Sequence, residues 1–489
     1  MKIIFFNALY LPIYLAHDKG ADRKKTDEYH QVFIAGMMIL ALLTAEGVPY
    51  WKPDKSQSVF NYRPYSIRFK KEDNEQTLEA YQKMKQLKKV TIKDKTYEVR
   101  SMFTIIDGKA ACVISGPSAD KAIGSMVCPM CHRPPTQLNV SPQEVYDEVD
   151  WNDDNIEEKL TTLSIMHDGL GLMMLLIMIT CKYLANVRKP QVKESQRPRV
   201  QKWYQKIKDQ LFLQLKIYLD RVTAQCCGTR AREAKIFFDV ENAEIIYEIL
   251  MQVVPLAMIK NSCYMWEAAR STLNPLNPEK YLKIAVEWHA DYIEKFSWHR
   301  MNPKSHKITS HPANFQKMIN RIFGELAKIS TGDTNEEVGE HTNYIFKKAR
   351  AKHSVKSDAI KIMITAGDMM MLKTDPVMIS LRVDPKTRKN RKIHSEKVLD
   401  ILDLNEPENQ DSEDNHEITV GSHRGIALNL RHVLADSQNQ TELENSDSGS
   451  EIAESEDSES ENSDLDYDTA SEGEGYFEEM WALEDIEAE

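Results

Sequence analysis

Four cysteine and histidine residues have the types and spacing of a zinc site. Cys128-Pro-Met-Cys131 is a Cys-x-x-Cys pair, and two thiolates at this spacing can bind one zinc ion. About 175 residues later, His306 and His311 stand five positions apart, a known spacing for zinc-binding histidines. Together they predict a closed Cys₂His₂ site, which is structural and makes metal binding part of folding.

Two alternatives to this ligand set remain open. His132 is a spare candidate ligand, although adjacent residues rarely both coordinate one ion. The two histidines also have a chance explanation, because the chain contains 14 His. The seven cysteines are an odd number and mostly scattered, which is typical of a reducing compartment with a metal site.

Three acidic residues are suited to binding divalent cations. Asp107 follows the apolar run Met102–Ile106, Asp18 follows the first apolar run, and Glu340 opens a predicted helix. Two aspartates at strand ends and one glutamate on a helix could share two Mg²⁺ or Mn²⁺ ions. Such ions activate the attacking oxygen and stabilise the leaving oxygen in phosphodiester chemistry. Taken singly, each acid is more typical of a turn or a helix cap.

Apolar patterns predict the elements that must position these residues. Residues 1–107 contain β-prone runs at Ile3–Ala16, Val32–Leu43 and Thr96–Ile106, with a buried helix as the alternative for the middle run. Residues 155–370 have helical periodicity, most clearly at Trp203–Val222, Ala243–Met258, Glu279–Phe296 and Asn314–Ile329. The sequence therefore predicts strands first and helices afterwards.

Two apolar segments have a membrane-related alternative. The first 16 residues resemble a signal peptide, but Asn7 and Pro12 interrupt the apolar run, which favours a buried first strand. The later run Leu170–Cys181 is about 12 residues long, too short to span a bilayer. It predicts a core helix, and we expect no membrane association.

The net charge of −12 is unevenly distributed. No Lys or Arg follows Arg431, whereas 21 of the 75 acidic residues do, so residues 1–431 carry 63 − 54 = +9. A basic body suits a polyanionic partner such as DNA. Residues 401–489 have too few apolar residues for a core and are predicted to be disordered. The segment Tyr476–Ile486 is either a docking segment for a protein partner or part of a solvating tail.

Two basic segments interrupt the body of the chain. The stretch from Arg188 to Lys206 contains seven Lys or Arg, with Pro190 and Pro198 predicted to break it. It is either a solvated linker or a phosphate-contacting surface. Residues 382–397 are predicted to be an exposed linker, in which Lys386–Lys392 resembles a nuclear localisation signal.

Several of these motifs, in this order, resemble the Transib transposases, relatives of the catalytic subunit of the V(D)J recombinase. Ile106-Asp107-Gly108-Lys109 precedes the Cys-x-x-Cys pair as in that family. The further similar segments, which with these cover roughly residues 18–380, are Arg63-Pro-Tyr-Ser-Ile-Arg-Phe, Trp298-His-Arg-Met-Asn-Pro-Lys-Ser-His-Lys-Ile-Thr-Ser-His, Glu336-Glu-Val-Gly-Glu-His-Thr-Asn and Asp375-Pro-Val.

The resemblance implies an α/β protein: an RNase H-like catalytic fold interrupted by a large, mostly helical zinc-binding insertion and followed by a disordered acidic tail. It implies that Asp18, Asp107 and Glu340 bind Mg²⁺ or Mn²⁺, and that a nuclear homodimer nicks double-stranded DNA and forms hairpins by transesterification. The expected divisions are 1–115 for the strands with the first two acids, 116–330 for the insertion, 331–380 for the third acid, 381–400 for a basic linker and 401–489 for the tail.

The sequence departs from the family pattern at three places. His17-Asp18-Lys19-Gly20 differs from the family's first-acid turn, so Asp22 is an alternative to Asp18. Cys227-Gly-Thr-Arg-Ala-Arg replaces a polar stretch of the family. The family's amino-terminal domain that binds DNA ends is expected to be missing. The alternative function is therefore that of a domesticated or decayed protein that binds DNA or proteins without catalysis.

Overall fold

The structure is a computed structural model of the chain. It describes residues 2–10, 33–53, 62–68, 74–92, 95–105, 128–152, 163–219, 231–335, 368 and 394–404. These residues are mostly helical and include a mixed sheet near the amino terminus. Outside them lie the predicted acids Asp18, Asp22, Asp107 and Glu340. Residues 405–489, which make up most of the predicted tail, also lie outside them.

Six strands form the sheet. They are β1 (Lys2–Tyr10), β2 (Phe33–Leu43), β3 (Pro49–Trp51), β4 (Tyr62–Arg68), β5 (Lys89–Ile92) and β6 (Lys95–Ile105). The order is β3-β2-β1-β6-β5, with β4 also paired to β2. The middle apolar run is therefore a strand rather than a helix. Its continuous apolar sequence suits a strand with neighbours on both sides.

The central pair of strands is parallel. Strand β1 pairs with β6 from Lys2 opposite Glu98 to Ala8 opposite Ile105, whereas β2 and β4 continue the sheet in antiparallel pairs. Helix α1 (Asn74–Gln86) lies in the long crossover that a parallel connection requires. As a result, the carboxyl ends of β1 and β6 lie at the same edge of the sheet.

Ten further α-helices are described. They are α2 (Pro142–Asp147), α3 (Ile165–Leu184), α4 (Arg197–Leu215), α5 (Ala231–Phe237), α6 (Ala243–Ile249), α7 (Leu256–Arg270), α8 (Pro278–Phe296), α9 (Pro303–Ser310), α10 (Pro312–Phe323) and α11 (Glu396–Ile401). Their apolar faces share one core, in which Trp288, Tyr292 and Phe296 of α8 are fully buried.

Helix α3 runs through the middle of this core. It is long and apolar enough to cross a bilayer, but 89% of its most apolar window is buried by the rest of the protein. A helix that is apolar on all sides must be surrounded in this way in a protein core. Two glycines allow neighbouring side chains to pack closely against this helix. A Cβ on Gly169 would lie 2.1 Å from the Trp266 indole nitrogen, and one on Gly171 would lie 2.4 Å from the Lys304 Cβ, so a larger residue would clash at either position.

Some predicted helix boundaries were wrong. The expected helix Ala243–Met258 is two helices, because Met251 and Gln252 adopt left-handed φ values of 52° and 55° and Pro255 caps α7. The basic stretch after Arg188 is partly helical. Pro198 lies in the first turn of α4, where its missing N–H is tolerated, and therefore does not break the helix.

The predicted border between linker and tail at residue 400 falls inside an ordered helix. Val398, Ile401 and Leu402 of the α11 region are fully buried. The Asn277 backbone N–H donates to the Ile401 carbonyl at 2.8 Å, and the Asn274 side chain donates to the Leu402 carbonyl at 2.7 Å. These three buried side chains and two hydrogen bonds attach the segment to the helical core beside α7 and α8.

Candidate metal centre

The two predicted halves of the zinc site come together in the structure. Ligand atoms of Cys128, Cys131, His306 and His311 all lie within 4.8 Å of one another. The Cys128 Sγ atom lies 3.3 Å from the His311 Nε2 atom, and the Cys131 Sγ atom lies 3.4 Å from the His306 Nε2 atom. Cys131 is half-buried and the other three side chains are buried.

These distances suit a tetrahedral metal ion. With Zn–S bonds of about 2.3 Å and Zn–N bonds of about 2.0 Å, tetrahedral sulfur and nitrogen ligands are roughly 3.5 Å apart. The two imidazole centroids lie 5.1 Å apart with their planes at 87°, and each ring places its Nε2 atom beside a cysteine sulfur. The cluster could therefore hold a metal ion such as zinc, with all four positions taken by protein.

A tight turn brings the two cysteines together. The Cys128 N–H donates to the Arg133 carbonyl at 3.1 Å, and the His132 N–H donates to the Cys128 carbonyl at 2.8 Å. His132 adopts a left-handed φ of 58°, and its side chain is exposed. The spare ligand candidate therefore lies outside the cluster, because the turn that joins the thiols directs it to solvent.

The histidine pair depends on a break between two helices. Helix α9 begins at Pro303 after Asn302, whose side chain accepts from the Ser305 N–H at 2.8 Å. His306 lies within α9, whereas His311 ends it and precedes Pro312, the first residue of α10. Because proline is favoured at a helix start, Pro312 fixes the break directly after His311.

The surroundings tune the ligands. A hydrogen bond with Cys128 is the main cause of the lowered pKa of Cys131, which favours the thiolate that binds metal. Burial lowers the pKa of His311, which favours the neutral imidazole needed for coordination. The His306 Nδ1 atom lies 3.4 Å from the Ser310 hydroxyl, while the buried His311 Nδ1 atom has no hydrogen-bond partner among the described residues.

Asn139 connects the cysteine side of the site to the histidine side and was missed from the sequence. Its amide donates to the His299 carbonyl at 2.7 Å and accepts from the Met301 N–H at 2.8 Å. Its own carbonyl lies 3.0 Å from the His289 Nε2 atom. An isolated asparagine in a loop carries no sequence signal for such contacts.

A buried ion pair attaches the histidine helix to the core. Lys307, next to His306, places its ammonium 2.9 Å from the carboxylate of Asp168 on α3, and both side chains are almost fully buried. The same carboxylate accepts from the Ser164 N–H at 3.1 Å. The sequence contains a hint of this pair, because Asp168 is an acid in an otherwise apolar helix and such an acid needs a buried partner.

The structure describes the strands before the predicted catalytic aspartates, but not the acids themselves. Strand β6 ends at Ile105, two residues before Asp107, and β1 ends at Tyr10, eight residues before Asp18. These strands are adjacent and parallel. The predictions for Asp18, Asp22 and Asp107 concern positions outside the described residues.

The chain before Glu340 is firmly attached as far as Asn335. The Thr331 N–H donates to the Gln316 side chain at 3.0 Å, and the Thr331 hydroxyl donates to the Ala269 carbonyl at 2.8 Å. Buried Asp333 accepts from the Lys52 ammonium at 2.7 Å. Lys52 directly follows β3, so this segment is connected to both the sheet and the helices.

Comparison with known proteins gives no match, either among models of protein families or among curated proteins. The Transib resemblance therefore rests on the quoted motifs.

Proposed function

We propose that the chain is the core of a DDE-type DNA transposase or recombinase of the Transib kind. It would nick double-stranded DNA and join strands with the help of Mg²⁺ or Mn²⁺, and it would do so as a nuclear homodimer. The RNase H-like fold and the zinc ion in the Cys/His cluster are parts of this proposal.

The observation that carries the proposal is the pairing of β1 with β6. Acids that share metal ions must lie close together, and two aspartates that follow adjacent parallel strands start from the same edge of the sheet. Strands β1 and β6 are adjacent, parallel and aligned so that Ala8 lies opposite Ile105. Asp107 follows one of these strand ends by two residues, and Asp18 follows the other by eight. This topology supports a shared role for the two aspartates.

The Cys/His cluster supports the proposed role of Glu340 as the third acid. The cysteines follow Asp107, the histidines precede Glu340, and their side chains lie together in the structure. The Lys52–Asp333 ion pair then joins the chain to the end of β3, seven residues before Glu340. A chain held in this way can place a helix carrying Glu340 near the sheet despite the long insertion.

Each group has a distinct role in the proposed reaction. Asp18, Asp107 and Glu340 would hold the divalent ions, which activate the attacking oxygen and stabilise the leaving oxygen. In the first step water breaks a phosphodiester bond and releases a 3′-hydroxyl. In the second, that hydroxyl attacks a phosphodiester of the opposite strand, so one bond forms as another breaks and a hairpin results. The zinc site would contribute no chemistry.

The decisive experiment compares wild type with Glu340→Gln. Supercoiled plasmid should be nicked by the full chain with Mg²⁺ or Mn²⁺ and should remain intact with the variant, because glutamine keeps the size of the side chain and loses the metal-binding charge. Glu337→Gln, three residues earlier, is the matched control and should retain nicking.

The alternative function predicts a different result. A DNA- or protein-binding protein without catalysis would bind duplex DNA but produce no metal-dependent nicking. Nicking that is equal in wild type and Glu340→Gln would indicate a contaminating nuclease and contradict the proposal. Circular dichroism of both proteins would show whether the substitution leaves the fold intact.

A further inference from the structure

One exposed face of α4 has an unusual concentration of positive charge. Arg199, Lys202 and Lys206 follow one another at spacings of three and four residues, so they lie on the same side of the helix. We call these three residues, with Trp203 between them, the basic stripe. Val200, Tyr204, Ile207 and Leu211 form the buried side of α4, which fixes the orientation of the stripe toward solvent.

The cations of the stripe are not neutralised by the described surface. Some exposed or half-exposed lysines elsewhere have carboxylate partners, among them Lys83 with Glu79, Lys260 with Glu244, and Lys280 with Asp400 and Asp403. Within the part of the chain that the structure describes, no ion pair involves Arg199, Lys202 or Lys206. Charges left unpaired on one face can attract a polyanion.

The acidic content of α4 is also minimal. Its sequence contains five Lys or Arg and a single acid, Asp209. The Asp209 carboxylate already accepts a hydrogen bond from the Gln205 amide at 2.7 Å. The helix therefore has a net charge of +4 and no second acid to oppose an anionic ligand.

An aromatic ring holds one of the cations in place. The Lys206 ammonium lies 5.0 Å from the centroid of the Trp203 ring, which is half-buried and packs against the core. This cation–π contact restricts the long lysine side chain. A pre-positioned cation loses less conformational entropy when it binds a phosphate.

We propose that the basic stripe binds the phosphate backbone of double-stranded DNA. Seven residues of helix separate Arg199 from Lys206, which is about 10 Å at 1.5 Å per residue. Neighbouring phosphates on one strand rise about 3.4 Å along the duplex, so the stripe spans about three such steps, which is long enough for each of its three cations to meet a separate phosphate. The choice of DNA as the polyanion rests on the proposed function, whereas the charge and geometry of the stripe do not.

The test measures binding of the full chain to a fluorescent DNA duplex as salt increases. The variant Arg199→Gln/Lys202→Gln/Lys206→Gln removes three phosphate contacts, so the slope of log affinity against log salt should decrease in magnitude by about 2.7. Between about 50 and 200 mM salt, wild type should lose on the order of 40-fold more affinity than the variant. Arg232→Gln/Lys283→Gln/Lys328→Gln removes three exposed cations elsewhere and should keep the wild-type slope.

Equal slopes for wild type and the stripe variant would overturn the proposal, as would an equal loss in the control variant, which would show that only net charge matters. Tighter DNA binding by the stripe variant would also overturn it, and would indicate that the acidic tail occupies the stripe. Plasmid nicking separates this proposal from the proposed function. A wild-type protein that never nicks but shows the predicted change in slope contradicts catalysis and supports the stripe.

Discussion

The ammonium of Lys52 lies 2.7 Å from the carboxylate of Asp333, across 281 positions of sequence. Lys52 also donates to the Lys328 carbonyl at 3.0 Å, and the Asp333 carboxylate accepts from the Ser330 N–H at 2.9 Å. The Asp333 side chain is 1% exposed and that of Lys52 is 27% exposed. This pair joins the end of β3 to the segment that leads towards Glu340.

Lys52→Gln should destabilise the protein by about 1–3 kcal/mol, because it leaves a buried carboxylate without its cation. Partial exposure of Lys52 keeps the effect below that of a fully buried pair. Urea unfolding followed by tryptophan fluorescence measures the change. Lys83→Gln is the matched control: it breaks an exposed pair with Glu79 and should cost at most about 0.5 kcal/mol. Equal midpoints for wild type and Lys52→Gln would show that the pair contributes little.

The Cys/His cluster should bind about one zinc ion per chain, since four closed ligand positions match one tetrahedral ion. Cys128→Ser and His311→Ala should each lose the metal, as measured by elemental mass spectrometry of purified protein. Cys181→Ala changes a buried cysteine outside the cluster and should retain it.

Removal of the metal should also lower the melting temperature, because binding favours the folded state. A strong chelator should therefore destabilise wild type and leave Cys128→Ser unaffected. A metal-free wild-type protein with unchanged stability would refute the structural role of the cluster.

The buried pair between Lys307 and Asp168 should make the protein sensitive to replacement of either residue alone. Lys307→Met leaves the Asp168 carboxylate uncompensated in the core and should cost about 3–5 kcal/mol. Replacing both residues, as Lys307→Met/Asp168→Leu, should recover much of this loss, because no buried charge remains. Urea unfolding of wild type, Lys307→Met, Asp168→Leu and the double variant gives the coupling energy between the two residues. A double variant as unstable as the sum of the single ones would contradict it.

Acid should destabilise the protein through His299. Burial, with a smaller effect from Lys182, holds the pKa of His299 well below its usual 6.5. As the pH falls, His299 of the unfolded chain therefore binds a proton before His299 of the folded chain does. The stability associated with neutral His299 is complete above about pH 6.5 and is lost as the pH falls towards the folded-state pKa. One such group lowers the free energy of unfolding by up to about 1.4 kcal/mol for each pH unit below that point.

Urea unfolding at several pH values tests this expectation. His299→Gln should show a weaker pH dependence than wild type below about pH 6.5, because glutamine does not titrate. Both proteins keep the four cluster ligands, so release of metal by acid affects them alike. Parallel pH profiles would show that His299 does not control acid stability.

The sequence by itself was sufficient for features encoded in local patterns. Apolar runs predicted β1 and β6 and left β2 open between a strand and a buried helix, and helical periodicity predicted α8 within one residue at its start. Ligand chemistry selected Cys128, Cys131, His306 and His311, since few residue types bind zinc and their spacings within each half are restricted. The structure places all four together.

Only the tertiary structure decided features that depend on distant contacts. Asn139 bonds to the backbone of His299 and Met301, and Asp168 pairs with Lys307. An acid in an apolar helix indicates that a buried partner exists, but no local pattern identifies these partners, which lie far away in sequence. The α11 region is held by burial of Val398, Ile401 and Leu402 and by hydrogen bonds from Asn274 and Asn277, and these distant contacts are not visible in its short, mixed sequence. Local propensity is determined by neighbouring residues, whereas burial and pairing are properties of the assembled fold. For this reason the zinc ligands were visible in the sequence, but the contacts that hold them in place were not.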